Sequence, residues 1–321
     1  MATQVNSIQF GDYSLQRLTH LHYPYIQQLY FNAFGFQPSI QEIAKRFDTI
    51  RLGSEVIGYI AIHQPTDTPA AYYGVFPLKV LIQNNIIQAA QSGDTMTHSN
   101  HRKKGFFKKL ARLTYEECKQ KGIKIIIGQP NEKSYHGLVK SLEWTHLDEI
   151  IRWDQKLNFK TFPFPKLARH ARVLQKLYLS YARFILKKYI VNDISSFNNT
   201  IPQNHGKIFR NKDYLEYKRS VDKFFLDLDG IIIWVRLIDV FWIGDISNYE
   251  NIPPLFLQKL KKLSFLLGYN TISLNLNESI SLPPPLDSFK KNSKQASCFL
   301  YLDKEFDGLN FILTAADSDT W

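Results

Sequence analysis

A short basic turn, Arg102-Lys103-Lys104-Gly105, carries the residue types best suited to bind an anion. It lies between an apolar run that predicts a strand and an amphipathic run that predicts a helix. A glycine at a helix start lets backbone come close to a bound group. The unpaired N–H groups of a first turn and the helix dipole attract negative charge. Three consecutive cations favour a polyanion such as a pyrophosphate, although a solvated basic turn explains the motif equally well.

Histidine, serine and cysteine patterns do not indicate a metal site or a nucleophile. The pairs His20-x-His22 and His98-x-x-His101 lack the two further ligands that a zinc site requires. No Gly-x-Ser-x-Gly turn is present. Cys118 falls on the apolar side of a predicted helix, where a buried thiol is expected. The sequence therefore predicts no bound metal.

The elements that position the basic turn follow the order strand, glycine turn, helix, strand and helix, which is typical of a crossover unit. Upstream, Ser39 and Glu42 have the spacing of a capping box at a helix start. A hairpin turn at Asn84-Asn85 precedes the strand that leads to the basic turn. The predicted helices are Tyr25–Phe34, Ser39–Phe47, Gly105–Lys121 and Ser134–Leu142, and the predicted strands are Val56–Ile62, Lys79–Gln83, Ile86–Ala90 with a continuation towards Met96, and Ile123–Gly128.

Composition indicates a two-domain globular protein. The 321 residues suit two domains of about 150 residues each, and 44% hydrophobic residues argue against disorder. A net charge of +11 favours anionic partners such as a nucleotide, a coenzyme, a membrane surface or nucleic acid. Two cysteines imply no disulfide framework. Neither a secretory signal nor an apolar stretch of about 20 residues is visible, so we expect a soluble, cytoplasmic protein.

Residues 159–190 differ from their surroundings because they hold eight Lys and Arg residues and no acid. Pro163 and Pro165 mark the start of this segment, and apolar residues are interleaved with its cations. A basic amphipathic helix of this kind lies on an anionic membrane or contacts nucleic acid. We favour a linker helix that packs its apolar stripe on the domains and turns its cations to water, with peripheral membrane contact left open.

After Asn192 the second half repeats the element order of the first half without its sequence. Asp229-Gly230 predicts a hairpin turn between the strands Phe224–Leu228 and Gly230–Val240. Its helix begins at Pro253-Pro254, where proline supplies no N–H and no cation is near, so a second pyrophosphate site is not expected. The remaining strands, expected to complete a second sheet, are Thr271–Asn275, Cys298–Leu302 and Leu309–Thr314.

The basic turn resembles the pyrophosphate-binding loop of the GNAT acyltransferases, whose pattern is Arg/Gln-x-x-Gly-x-Gly/Ala. Arg102, Gly105 and Phe107 fall on its three fixed positions, with Phe in place of a small residue. The resemblance spans about 56–144 and ends in Lys140-Ser141-Leu142-Glu143-Trp144, which is similar to the family's Lys-x-Leu-Gly-Trp. Segments 209–219 and 316–321 look like features of a tandem branch that includes N-acyltransferases of nucleotide-linked amino sugars, used in surface polysaccharide and O-antigen synthesis.

The resemblance implies a mixed α/β (α+β) protein made of two tandem GNAT-like domains, each a twisted mixed sheet flanked by helices. The implied ranges are 1–158 for a domain that binds acyl-coenzyme A, 159–195 for the basic linker helix, and 196–321 for a degenerate domain that binds the acceptor.

The resemblance also implies a coenzyme site. Backbone groups at Met96, Thr97 and His98 would bind the pantetheine arm and polarise the thioester. The turn would bind the pyrophosphate, Asn131 would bind the pantetheine arm, and Ser134 or Tyr135 would lie near the sulfur. The implied coenzyme-binding residues are Met96, Thr97, His98, Arg102, Lys103, Lys104, Gly105, Phe106, Phe107, Asn131 and Ser134.

The implied reaction is direct attack of a neutral amine on the thioester, which requires proximity and removal of a proton from the amine. The family's usual acid, a Tyr seven residues after the Asn, is Leu138 in this chain. Tyr135 or His136 could replace it, or the thiolate leaves unprotonated. The candidate bases are Asp94, His98, Glu132 and His136, each of which is also explained as a structural or solvated side chain.

The implied function is N-acyl transfer of an acetyl or short hydroxyacyl group from acyl-CoA to the amine of a nucleotide-linked, dTDP-type amino-deoxy sugar. The expected partners are these two substrates, without nucleic acid or metal, and the expected state is a monomer or homodimer. The alternatives are a peptide or aminoglycoside N-acetyltransferase and a non-catalytic module that senses acyl-CoA or binds nucleic acid.

Overall fold

Two compact units make up the chain in the computed structural model, and neither unit is continuous in sequence. Of the described residues, the first unit takes those up to Leu147 together with Ala296–Leu309. The second takes Asp148–Gln295 and those from Asn310 onward. The sequence instead predicts three consecutive segments, 1–158, 159–195 and 196–321. The structure describes residues 7–159, 162–192, 194, 197 and 205–318.

The first unit is a sheet in which β1 to β6 follow one another in space as they do in sequence. All neighbours are antiparallel except β5 and β6, which are parallel and joined by the crossover helix α3. Its elements are β1 (Ser7–Phe10), β2 (Tyr13–Arg17), α1 (Tyr23–Phe34), α2 (Ile40–Phe47), β3 (Ile57–His63), β4 (Thr68–Ile82), β5 (Asn85–Thr97), α3 (Phe106–Gln120), β6 (Ile125–Gly128) and α4 (Glu132–His136).

The second unit repeats this pattern, with β11 and β12 as its parallel pair and α8 as its crossover helix. Its sheet has the order β7-β12-β11-β10-β9, and β8 pairs in parallel with β14. The remaining elements, of which β7 begins in the first unit and β13 ends in it, are β7 (Thr145–Lys156), α5 (Phe164–Ala168), α6 (Arg172–Leu186), β8 (His205–Ile208), α7 (Lys212–Tyr217), β9 (Lys223–Leu228), β10 (Ile231–Leu237), β11 (Phe241–Ile246), α8 (Phe256–Leu266), β12 (Thr271–Asn277), β13 (Lys290–Tyr301) and β14 (Asn310–Ile312).

The last strand of the first unit comes from far along the chain. Residues Cys298–Tyr301 of β13 pair antiparallel with β6, with Cys298 opposite Gly128 and Tyr301 opposite Ile125. The prediction that Cys298–Leu302 completes the second sheet was therefore wrong. An apolar run identifies a buried strand but carries no information about which remote strand it pairs with.

Helices cover both faces of the first sheet. On one face, α3 buries Phe106, Leu110 and Tyr115, and on the other, α1 and α2 bury residues such as Ile26 and Phe47. Tyr178, Leu179, Ala182 and Leu186 of α6 belong to the core of the second unit, so one apolar face of this helix packs there. This arrangement confirms the predicted mixed α/β class. Within the described ranges, no helix is long and apolar enough to cross a membrane.

Local signals in the sequence placed several element ends correctly. At the start of α2, Ser39 Oγ accepts from the Glu42 N–H at 3.2 Å and Glu42 Oε2 accepts from the Ser39 N–H at 2.7 Å, which confirms the capping box. Gly122, with φ of 75°, ends α3 as predicted. Helix α4 begins two residues earlier than predicted because Asn131 caps it, with its Oδ1 accepting from the N–H groups of Lys133 and Ser134, each at 3.0 Å.

Candidate active site

Strands β5 and β6 pair over only three residues each, Ala89–Gln91 and Ile125–Ile127. Beyond Gln91, β5 contains a bulge at which its register with β4 shifts between Tyr72 and Gly74. Asp94 adopts a φ of 55° at this point, so two residues of β5 oppose one of β4. Past the bulge, β5 stays paired with β4 up to Thr97 while its ladder with β6 has ended. One edge of β5 is therefore left open beside β6.

The direction of the backbone groups on this edge follows from the ladder with β4. The N–H of His98 donates to the Ala70 carbonyl at 2.9 Å, and Met96 lies opposite Tyr72. Because alternate residues of an antiparallel strand direct their N–H and C=O to the same neighbour, Met96 and His98 both face β4. Thr97 faces the open edge. Of the three backbone positions that the sequence suggested, the ladder leaves Thr97 available to a ligand on that edge.

The basic turn ends in an uncapped helix start. Lys103 has a φ of 62° and Gly105 one of 78°, and α3 begins at Phe106 with Gly105 as its N-cap, which supplies no side chain to its first N–H groups. A Cβ added to Gly105 would meet no described atom within 4 Å, so the backbone there is open. The side chains of Arg102, Lys103 and Lys104 are exposed. This turn has the free donors and positive charge that an anion requires.

The side chain of Phe107 is directed away from the turn, into the space between α3 and the segment after α4. Its ring lies 5.7 Å from that of Tyr73, and a Cβ on Gly137 would lie 2.8 Å from it. The large side chain at this position of the loop is therefore accommodated by a glycine on the facing helical segment.

A second departure from the GNAT pattern is accommodated by the backbone. Glu143 has a φ of 61°, a conformation that favours glycine, and glycine is the residue of the family pattern at this position. The neighbouring Trp144 packs on Gly128, where an added Cβ would lie 2.6 Å from its ring.

Beneath the open edge, buried hydroxyls form a chain that the sequence did not reveal. Trp144 Nε1 donates to Tyr115 Oη at 2.9 Å, Tyr115 and Tyr73 share a hydrogen bond of 2.8 Å, and Ser92 Oγ of β5 donates to Tyr73 Oη at 3.2 Å. Burial raises the pKa of Tyr73 to about 12, so it stays protonated at neutral pH. Buried hydroxyls have no periodic spacing, which is why no sequence signal pointed to them.

Asp94, a candidate base, is held by an arginine of α2. Arg46 donates to both of its oxygens, with Nη2 to Oδ1 at 2.7 Å and Nε to Oδ2 at 2.5 Å. Burial and, next, the charge of Asp94 raise the pKa of Tyr30, which lies beside the pair. The carboxylate is thus engaged in a two-point ion pair at the bulge.

Three histidines and Tyr13 cluster behind the basic turn. The ring centroid of His101 lies 5.4 Å from that of His98 and 5.3 Å from that of His63. Tyr13 Oη is 3.0 Å from His101 Nδ1 and accepts from Lys104 Nζ at 2.6 Å. Burial, then the neighbouring histidines and Lys104, lower the pKa of His101. Among the residues that the structure describes, no group of His, Cys, Asp or Glu is arranged to hold a metal ion.

His98 Nδ1 accepts from the Asn100 N–H at 3.2 Å, so the neutral ring carries its proton on Nε2.

On α4, Tyr135 Oη lies 2.8 Å from Nδ1 of His146, a residue that sequence reasoning missed because an isolated His gives no spacing signal. His136 is exposed. Leu138, at the position of the family's tyrosine, is buried in the core.

In the second unit, the region beyond the corresponding parallel pair is occupied by the chain itself. The ladder of β11 with β12 runs over Phe241–Ile243 and Ile272–Leu274, and the turn Ala315–Asp317 contacts both strands. Arg210 fixes this turn because it donates to Asp245 at 3.0 Å and to Asp317 at 2.5 Å.

These contacts bring together two parts of the segments that resembled the tandem branch, residues 209–219 and 316–318. Tyr214 Oη also donates to the Ala316 carbonyl at 3.4 Å, and Lys218 Nζ donates to the Ser318 carbonyl at 2.7 Å. Asp319, another residue of the closing segment, lies outside the described residues.

Comparison with known proteins gives a match to one family. Residues 14–146 match the model of the acetyltransferase (GNAT) domain. A search of curated proteins finds no relative of this chain.

Solved structures of similar fold cover most of the chain at low identity. A putative acetyltransferase from Pyrococcus horikoshii has a TM-score of 0.54 and 12% identity, over 94% of this chain and 93% of its own. A GCN5-related N-acetyltransferase from Kribbella flavida has a TM-score of 0.58 and 11% identity, over 91% and 71%. A probable N-acyltransferase from Enterococcus faecalis has a TM-score of 0.54 and 12% identity, over 89% and 72%. At this identity the likeness concerns the fold, and it is consistent with two GNAT-like domains.

Proposed function

We propose that the chain, an acyltransferase whose residues 14–146 match the model of the GNAT acetyltransferase domain, moves an acyl group from acyl-CoA to the amine of a nucleotide-linked amino sugar. Enzymes of this family use acetyl-CoA or another acyl-CoA as co-substrate. The observation that carries the proposal is the open edge of β5, which ends a few residues before an uncapped, basic helix start.

The coenzyme would bind along this edge and turn. The exposed cations of the turn and the N–H groups of Phe106 and Phe107 would hold the pyrophosphate. The backbone of Thr97 would pair with the amide-bearing pantetheine arm, as an added strand pairs with a sheet edge. Its N–H then lies where a donor would stabilise the oxyanion that forms when the amine attacks the thioester. Asn131 and Ser134, at the start of α4, would contact the same arm from the side of β6.

In the reaction, the lone pair of the amine forms the new C–N bond, the C–S bond breaks, and the coenzyme leaves as a thiolate. Tyr135, held by His146, is our candidate for delivering a proton to the sulfur. The amine must also lose a proton, for which His98 and His136 are our candidates. We assign Asp94 to the shape of the bulge because its oxygens are engaged by Arg46.

The second unit would bind no coenzyme and would serve the acceptor. Its own residues Ala315–Asp317 occupy the place beyond its parallel strands. Elsewhere it has a cavity of about 560 Å³ whose lining includes Lys156, Lys290 and Lys291 together with Asn158, Asn292 and the carboxylate of Asp154, to which Asn292 donates. Three cations beside amide groups suit the diphosphate and hydroxyls of a nucleotide-linked sugar.

The role of the Thr97 N–H can be tested with a pair of substitutions. Thr97→Pro removes this N–H without removing a ladder bond to β4, whereas Thr97→Ala keeps it. We expect the proline variant to lower kcat by about 100-fold or more, as does loss of an oxyanion donor, while the alanine variant stays near wild type. Thiol release from acetyl-CoA is the measurement. Equal activity of the two variants would show that this N–H has no part in the reaction.

The acceptor is tested separately with a panel of nucleotide-linked amino sugars. We expect thiol release to depend on one of them, and Lys290→Gln with Lys291→Gln to raise the KM for that acceptor while leaving the KM for acyl-CoA unchanged. If no member of the panel triggers release and a peptide amine or an aminoglycoside does, the proposed acceptor is wrong but the acyl transfer stands.

A further inference from the structure

Helix α6 presents three different faces along its length. One face is buried in the core of the second unit. A second carries cations, and a third carries apolar side chains that lie in solvent. The buried face is Tyr178, Leu179, Ala182 and Leu186; the basic face is Arg172, Lys176, Arg183 and Lys187; the exposed apolar face is Val173, Leu174, Leu177, Tyr181 and Phe184.

The spacing shows that each face is a continuous stripe. With 3.6 residues per turn, residues separated by four, seven or eleven positions lie nearly above one another. Val173, Leu177 and Phe184 satisfy this spacing, and they are 69%, 56% and 76% exposed. The packing of α6 needs one apolar stripe, which is already buried. The exposed stripe is therefore surplus to the fold of the unit.

Neighbouring residues extend this exposed surface. Tyr181 Oη donates to the carbonyl of Leu266 in α8 at 2.7 Å, and both Phe265 and Leu266 are partly exposed there. Ahead of the helix, Phe162 and Leu167 are 71% and 44% exposed. Exposed apolar side chains collected in this way mark a surface for interaction.

Cations predominate on this surface. Residues 159–190 contain no acid, and the carboxylate of Asp239 pairs with Arg169, which precedes α6. The cations of the basic stripe lie next to the apolar stripe around the helix, so a single surface can contact both apolar chains and negative charge. An amphipathic helix with Lys and Arg beside Leu, Val and Phe has the composition of helices that lie in the plane of a bilayer interface.

We propose that α6 binds the second unit to the surface of an anionic phospholipid bilayer, with Val173, Leu177 and Phe184 among the acyl chains and the basic stripe on the headgroups. A second copy fits less well, because a two-fold contact would place the same cations against each other. Nucleic acid would satisfy the cations but would leave the aliphatic stripe in water.

Vesicle sedimentation of the full chain tests this directly. The probes are vesicles of phosphatidylcholine alone and of equal parts phosphatidylcholine and phosphatidylglycerol. We expect binding to the mixed vesicles only, with a loss of about fivefold or more in Val173→Ser/Leu177→Ser/Phe184→Ser and in Arg172→Gln/Lys176→Gln/Lys187→Gln. Matched controls are Ile50→Ser/Ile86→Ser/Leu255→Ser and Lys119→Gln/Lys121→Gln/Lys294→Gln, which change equal numbers of exposed residues elsewhere and should bind as wild type does.

Four results would overturn the proposal. The first is no binding of wild type to anionic vesicles. The second is a loss in the control variants equal to the loss in the α6 variants, which would mean that the position of the substituted residues on α6 does not matter. The third is wild-type binding to a short RNA but not to vesicles. The fourth is a dimer in sedimentation velocity that the serine triple variant dissociates without any change in vesicle binding. Binding of CoA is measured in parallel and should be unchanged in all four variants, so the result is independent of the proposed reaction.

Discussion

Arg210 is a buried charge of the second unit that is held by two carboxylates. It is 3% exposed and donates to both Asp245 and Asp317. Burial alone would lower the pKa of this guanidinium, but the two carboxylates raise that pKa above its ordinary value. Removing one partner of a buried ionic group lowers the free energy of unfolding by about 3 to 5 kcal/mol, because the remaining buried charge is left without a partner. We expect Arg210→Met to lower the free energy of unfolding by this amount in urea titrations.

The matched control for this substitution is Arg219→Met. Arg219 donates to Glu216 at 3.0 Å, but its side chain is 66% exposed, and exposed pairs contribute at most about 1 kcal/mol. Equal losses in the two variants would contradict the role assigned to the buried cluster.

His22 makes the first unit sensitive to mild acid. Its Nδ1 accepts from the Thr19 N–H at 3.0 Å and its Nε2 lies 2.9 Å from Gln16 Oε1, so the fold holds the neutral ring. Burial lowers its pKa below 6.5. As the pH falls through about 6.5, the unfolded chain takes up a proton before the folded chain does, and stability that is present above this pH is lost.

We therefore expect the urea midpoint to decline between about pH 7.5 and about pH 5.5, and to decline less in His22→Gln. His170→Gln, which changes an exposed histidine, should keep the wild-type decline. A His22→Gln variant with the full decline would assign the effect to other groups.

Substitutions of the glycines at the two ends of α3 distinguish a loss of stability from a loss of coenzyme binding. Gly105 and Gly122 have φ values of 78° and 75°, and an added Cβ at either meets no described atom within 4 Å. Alanine at either position lowers the stability by about 1 kcal/mol, because its Cβ strains the backbone at a positive φ. We expect both alanine variants to lose similar stability, and only Gly105→Ala to weaken CoA binding, by about tenfold, because its Cβ stands in the basic turn. Calorimetric titration with CoA measures this. Equal weakening in Gly122→Ala would mean that the turn has no special part in binding.

Elements that depend on neighbours in sequence were predicted well, and elements that depend on remote partners were not. The capping box of α2 and the limits of α3 use signals a few residues apart. The pairing of Cys298–Tyr301 with β6 and the hydrogen bond between Tyr135 and His146 depend on where other segments lie. Glu143 shows a third case, because a backbone conformation typical of glycine is adopted by another residue, which the pattern alone does not reveal.

At the scale of the whole molecule, the first unit is completed by a strand from residues Ala296–Leu309, and this decides whether the unit can be isolated. A fragment of residues 1–158 lacks Ala296–Leu309, which leaves the edge of β6 unpaired and removes the fully buried Cys298 and Phe299. Exposed strand edges promote aggregation. We expect this fragment to be insoluble or to melt well below the full chain, and residues 1–147 joined by a flexible linker to 296–309 to regain a cooperative melt and CoA binding. A well-folded 1–158 fragment would contradict this.

The same strand also sets the order of events during synthesis. N-terminal domains generally fold as they leave the ribosome, and the ribosome adds about 5 to 20 residues per second. Here the sheet of the first unit lacks its outermost strand until residues 296–309 have been made, which delays completion by on the order of 10 s. During that interval the β6 edge of the nascent chain is open to other chains. We expect co-expression of a ribosome-bound chaperone to raise the soluble yield of this protein.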